Sequence, residues 1–171
     1  MLTNYKSTDR PAILDIEASG FGSSSYPIEV GVVLESGETY CSLIIPLPDW
    51  IFWDDKAELI HGISRDTLYS YGNRVSSVAN SLNSLLTGKT IYSDGWVVDK
   101  PWLIKLFHAA KINPLFTLSP LELILSEPQM LHWHTTKDKV TRDTQLTRHR
   151  ASADARIIQE TYVQTLKHKH A

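Results

Sequence analysis

Two carboxylates inside an apolar run constrain this chain more than any other feature. In Pro11-Ala-Ile-Leu-Asp-Ile-Glu-Ala-Ser-Gly20, Asp15 and Glu17 stand among Ile13, Leu14, Ile16 and Ala18. Apolar residues at both odd and even positions mark a strand over residues 13–17 that is buried on both faces, and so central in a sheet. Positions i and i+2 of a strand point the same way, about 6.5 Å apart by the rise per residue. An unpaired acid in such a place is expensive, so compensating charge is required nearby. Carboxylates at this spacing can jointly hold divalent ions about 3.5–4 Å from each other. The bland alternative is a strand end facing water, and the flanking apolar residues argue against it.

The rest of the chain supplies partners for that strand. Residues 28–34 and 39–45 read as two further strands joined by the hairpin turn Glu35-Ser-Gly-Glu38, and Pro46 and Pro48 stop the second of them. Val75, Val78, Leu82, Leu85 and Leu86 recur at helical spacing, with Gly88 just past the end. Residues 90–93 form a short fourth strand. Leu103, Leu106, Phe107 and Ala110 mark a second helix, beginning near Asp99 and ending before Asn113-Pro114. Residues 116–118 suggest a fifth strand, and 119–147 are expected to be helical in pieces. Ala155, Ile158, Tyr162 and Leu166 define a last helix, and 167–171 reads as a frayed tail. Hairpin strands followed by helix-strand alternation predict an α/β protein with a mixed five-stranded sheet and helices packed on both faces. We expect one domain over residues 1–171, with its core at about 11–166.

A second group of candidate residues lies near the far end, in His149-Arg-Ala-Ser-Ala-Asp154. With Ser152 as cap, Asp154 falls in the first turn of the last helix, where the helix dipole favours a carboxylate. His149 then sits in the preceding loop, and an imidazole of ordinary pKa, ~6.5, suits the removal of a proton from water. Alone, that spacing describes many surface loops; with the Asp-x-Glu strand it becomes specific. A middle acid comes from Tyr92-Ser-Asp-Gly-Trp-Val-Val-Asp99. Asp94 and Asp99 both qualify, and Asp99 is favoured, because Pro101 and Trp102 after it look like a helix start.

Charge and cysteine usage narrow the function further. The formal net charge of −2 argues against a module gripping long duplexes by phosphate neutralisation, though not against an enzyme whose metal ions supply positive charge locally. The single cysteine, Cys41, excludes an internal disulfide and points to a reducing compartment, the cytoplasm. No apolar run is long enough to span a bilayer, and the first ten residues lack the apolar core of a leader.

These motifs resemble those of a known family. Ile13-Leu-Asp-Ile-Glu-Ala-Ser-Gly-Phe21 resembles the first motif of the DEDD exonucleases, and His149-Arg-Ala-Ser-Ala-Asp154 resembles their third motif in its histidine, or DEDDh, form. Ribonuclease T, oligoribonuclease and the proofreading subunit of the bacterial replicative polymerase belong to that branch. Ile60-His-Gly-Ile63 followed by Leu68 is similar to a family segment that lies against the terminal nucleotide. The resemblance implies a ribonuclease-H-like fold and a 3′→5′ exonuclease acting on single-stranded DNA or RNA, with nucleoside 5′-monophosphates as products. It implies two Mg²⁺ or Mn²⁺ ions held by Asp15, Glu17, Asp99 and Asp154, with His149 deprotonating the attacking water. It implies that Ser19, Gly20 and Phe21 border the 3′-terminal nucleotide, and that His61 and Ile63 pack near its base. In the middle motif, Gly95 replaces the asparagine and Val98 the phenylalanine common in the family. Several members are dimers, so a homodimer is compatible with it.

Other residues admit two readings. Trp102 falls on the apolar side of its helix and reads as core. The segment Trp50-Ile-Phe-Trp53 reads either as packing or as an exposed aromatic loop for substrate or a partner. Arg142, Arg148 and Arg150 are either phosphate contacts or solvated charge. The competing function is a catalytically silent nucleic-acid-end binder or assembly subunit on the same fold.

Overall fold

The computed structural model describes residues 10–168. The acid-bearing strand, β1 (Ile13–Ala18), is central, as its apolar flanks require. On one side it pairs antiparallel with β2 (Pro27–Val33), which pairs antiparallel with β3 (Thr39–Leu43). The turn between these two is closed by the Leu34 N–H donating to the Glu38 carbonyl at 2.8 Å, with Gly37 at φ 85°. On the other side β1 runs parallel to β4 (Thr90–Ser93), and β4 to β5 (Thr117–Pro120). The mixed five-stranded sheet has the order β3-β2-β1-β4-β5.

Helices cover both faces. They are α1 (Asp55–His61), α2 (Arg65–Tyr71), α3 (Val75–Leu86), α4 (Trp96–Ala110), α5 (Glu127–Thr144) and α6 (Ala151–Thr165). The even residues of β1 and β2, including Leu14, Ile16, Ile28 and Val30, are buried with Val78 and Leu82 of α3 and Leu103 and Leu106 of α4. The odd residues Ile13 and Val33 join a smaller cluster with Trp133 of α5 and Ala155, Ile158 and Tyr162 of α6.

Several expectations are corrected. The short helices α1 and α2 carry too few residues to show a period, yet each has its own N-cap. Asp54 Oδ1 accepts the Lys56 N–H at 2.9 Å, and Ser64 Oγ accepts the Thr67 N–H at 3.1 Å. Residues 119–147 are helical in pieces, as expected: a 3-10 turn (Leu121–Ile124) leads into α5, a helix of 18 residues. Its periodicity is faint because it buries only Gln129, Trp133 and Val140. The last helix begins at Ala151, with Arg150 rather than Ser152 at the N-cap position. At the start of the expected frayed tail, residues 167 and 168 belong to a 3-10 turn (Leu166–His168), and the His168 ring stacks on His132 with centroids 3.9 Å apart. Residues 169–171 of that tail, and the N-terminal residues 1–9 read for a leader, lie outside the described ones. Among the described residues, no helix is long and apolar enough to cross a membrane.

Candidate active site

The alternation of β1 builds the floor of a cavity of about 190 Å³. Leu14, Ile16 and Ala18 anchor the strand in the larger core, which leaves Asp15 and Glu17 on the opposite face, toward α6. The β1–β2 register shifts between Glu17 and Ala18. Such a bulge bends the strand just where Glu17 leaves the ladder.

Asp99 enters from the first turn of α4, at the carboxyl ends of β1 and β4. It is buried and accepts a hydrogen bond from the Ser93 hydroxyl, which itself accepts the Gly95 N–H at 3.0 Å. The helix starts at Trp96 rather than at Asp99, and Pro101 stands inside it. Asp94, the competing middle acid, does not line this cavity; it forms an ion pair with Lys137 of α5.

The remaining groups come from the start of α6. Asp154 lies in its first turn, and Asp154 Oδ2 accepts the His149 N–H at 2.8 Å. His149 adopts φ 60°, a left-handed conformation that turns the chain sharply into the helix. Ligand atoms of Glu17, His149 and Asp154 all lie within 4.8 Å of one another. Arg148 approaches Asp154 at 3.7 Å, whereas Arg150 is bound to Glu29 of β2 and Arg142 is exposed in the last turn of α5.

The other wall of the cavity is formed by Gly20, Phe21 and, from α1, Ile60 and His61. Phe21 is 69% exposed at the rim. Gly20 has φ 155°, and a Cβ built there would stand 2.7 Å from the Phe52 ring, so only glycine fits. Burial holds the His61 pKa down, and Nδ1 accepts the Ile63 N–H at 3.1 Å, which places the proton of the neutral ring on Nε2. Two expected substrate residues are not at the cavity. Ser19 is fully buried with its hydroxyl accepting the Tyr26 N–H at 3.1 Å, and Ile63 is buried in the larger core. The aromatic segment divides: Trp50 is buried against Tyr26 and Trp53 donates to Glu58 at 2.6 Å, while Ile51 and Phe52 remain exposed. Trp102 is core, as its spacing implies, donating to Ser25 Oγ at 2.8 Å.

Gathering these acids has an electrostatic consequence. Burial raises the Asp15 pKa well above the carboxylate range, and Asp99, Glu17 and Asp154 raise it further. Burial, then Asp154 and Glu29, lift Glu17 to about 7; Arg150 opposes them. Burial and Asp94 lift Asp99 to about 7 against the Ser93 hydrogen bond. Acids so placed repel one another, and the half-exposed Arg148 beside Asp154 offsets only part of that repulsion. A set of oxygen donors plus one imidazole fits hard divalent ions such as Mg²⁺ and Mn²⁺.

No protein-family model and no curated protein sequence matches this chain. Solved structures do. A structure of Exonuclease I superimposes with a TM-score of 0.70 at 14% identity, covering 93% of this chain and 41% of that one. E. coli Exonuclease I in complex with a dA16 oligonucleotide gives 0.66 at 16% identity, over 90% and 40%. The zinc-ion-bound form of the E. coli Exonuclease I–single-stranded DNA complex gives 0.67 at 16% identity, over 90% and 40%. The architecture is therefore the ribonuclease-H-like exonuclease fold. The particular structures that carry it here are those of Exonuclease I, of whose length this chain spans about two fifths.

Proposed function

We propose that this chain is a divalent-metal-dependent 3′→5′ exonuclease that hydrolyses phosphodiester bonds at the 3′ end of single-stranded DNA or RNA and releases nucleoside 5′-monophosphates. One observation carries the reading: Asp15 and Glu17 of β1, Asp99 of α4, and His149 and Asp154 at the start of α6 all line one open cavity. A sheet strand, a helix and a loop separated by more than a hundred residues do not bring four acids together without a function to compensate the repulsion.

In this reading Asp15, Glu17, Asp99 and Asp154 hold two Mg²⁺ or Mn²⁺ ions. Bound divalent ions at such a site lower the pKa of an attacking water and neutralise charge on the phosphate oxygens. His149 accepts the proton of that water on its imidazole, from a loop position that leaves the ring at the rim. Phe21 offers a ring for the terminal base, a contact worth about 1–3 kcal/mol. Gly20 and His61 shape the wall beside it. The fold match to structures whose names include single-stranded DNA complexes supports the substrate class.

The test is a 5′-labelled single-stranded oligonucleotide, as DNA and as RNA, incubated with Mg²⁺ or Mn²⁺. A ladder of shortened products is expected, abolished by EDTA and restored by Mn²⁺. An unshortened band of retarded mobility would identify a silent end binder instead, and cleavage that survives chelation would remove the metal mechanism.

A further inference from the structure

The first turn of α6 carries Asp154, whose carboxylate anchors His149, yet it has no local cap: Arg150, at the N-cap, makes no side-chain capping bond. The partner comes from β2 instead. Glu29, fully buried, accepts the Ala151 N–H at 2.8 Å, one of the amides that a helix start leaves without an intrahelical partner. The Arg150 guanidinium clamps the same carboxylate, with Nε at 3.1 Å from both oxygens and Nη2 at 2.6 Å from Oε1. Two residues along, Gly31 lies directly beneath the turn. A Cβ built there would stand 2.2 Å from the Ala151 carbonyl carbon and 2.2 Å from the Ser152 nitrogen, both backbone atoms that cannot swing aside. Across the ladder, Glu29 is the register partner of Glu17, and Gly31 of Asp15.

We infer that Glu29 and Gly31 are positioning residues: side by side on β2, they seat the first turn of α6 on the sheet and so set where His149 and Asp154 stand relative to Asp15 and Glu17. The inference rests on the reading of those four residues as one site. Asp154 is tied to the His149 N–H, and the Ala153 and Asp154 amides both donate to the Arg150 carbonyl at 2.9 Å. The turn is thus internally braced and moves as a unit. Glu29 fixes its lateral position and Gly31 its height. Neither touches the cavity, so their loss misplaces the site without removing a member of it.

The experiment combines hydrogen exchange on the metal-free protein with steady-state kinetics. In Glu29→Ala, the bonded amides of 149, 151, 153 and 154 are expected to exchange about tenfold faster while β1 keeps its protection. On an oligonucleotide, kcat should fall about a hundredfold, the scale of a misplacement near 1 Å, with KM nearly unchanged. Glu29→Gln, which retains an acceptor for the Ala151 N–H, should recover part of both. Should Glu29→Ala fail to fold, Arg150→Ala serves, because that side chain is 44% exposed. Exchange at 149–154 unchanged in the variant that folds would overturn the inference. That readout needs neither metal nor substrate. Wild-type protein without nuclease activity would therefore sink the exonuclease reading and leave the exchange result standing.

Discussion

The two faces of β1 are built to opposite ends. On one, Leu14, Ile16 and Ala18 disappear into the larger core against α3 and α4. On the other, Ile13 alone joins an apolar cluster, and the next two positions are acids lifted out of their ordinary protonation range. A strand six residues long therefore carries both a stabilising element and a destabilising one. The apolar face holds the backbone rigid enough for the acidic face to keep its charges together. Stability on one side sustains electrostatic strain on the other, and the strain is what a bound cation would relieve.

That contrast can be broken most severely at Asp15. Asp15→Ala should lower the cleavage rate by about a thousandfold or more, the scale of removing a preorganised electrostatic group, with the far-ultraviolet circular dichroism spectrum unchanged. An active Asp15→Ala protein would show that the acidic face has no catalytic role. Next in size, Leu14→Ala attacks the other face. It should cost about 2–5 kcal/mol in denaturant unfolding, through lost burial and the cavity left behind. His149→Ala should slow cleavage by about a hundredfold, within the range for losing a general base. The rate should recover in part as pH rises and hydroxide replaces the missing group, and a flat pH–rate profile would count against His149 as the base.

The smallest effect concerns the strain itself. The folded-state pKa of Asp99 is raised, so its contribution favours the fold at low pH and is lost as pH rises from about 4 through about 7. Asp99→Asn removes that loss. Without metal at pH 8 the variant should be more stable than the wild type, and the difference should vanish near pH 4. Equal stabilities at pH 8 in thermal melts would mean that the buried acid is not strained.

Much of this site was legible in the sequence because the relevant physics is local. Acids among Ile13, Leu14 and Ile16 can only lie on a buried strand, and the two-residue period puts them on one face. The helix of Val75–Leu86 shows its bounds in its own spacing and in Gly88 after it. Asp154 in a first turn, with His149 in the loop before it, follows from reading Ser152 as the cap, although the helix itself starts at Ala151. The short helices α1 and α2 escaped because seven residues each show no periodicity. Ser19 and Ile63 were expected at the substrate because of their place in motifs, but their side chains point into the core. Glu29 was missed although the signal was the same one that marked Asp15: a single acid in the apolar run Ile28-Glu-Val-Gly-Val-Val33.

By itself, then, the sequence determined which strand is central, which way its acids face, and which residues stand at the start of the last helix, since each depends on neighbours a few positions away. Only the tertiary structure decided that Asp99 and not Asp94 joins them, because Lys137, 43 residues on, claims the latter. It also decided that the cap of α6 is Glu29 rather than Ser152. Such choices rest on which groups meet across the fold, and no local pattern encodes a partner more than a hundred residues away.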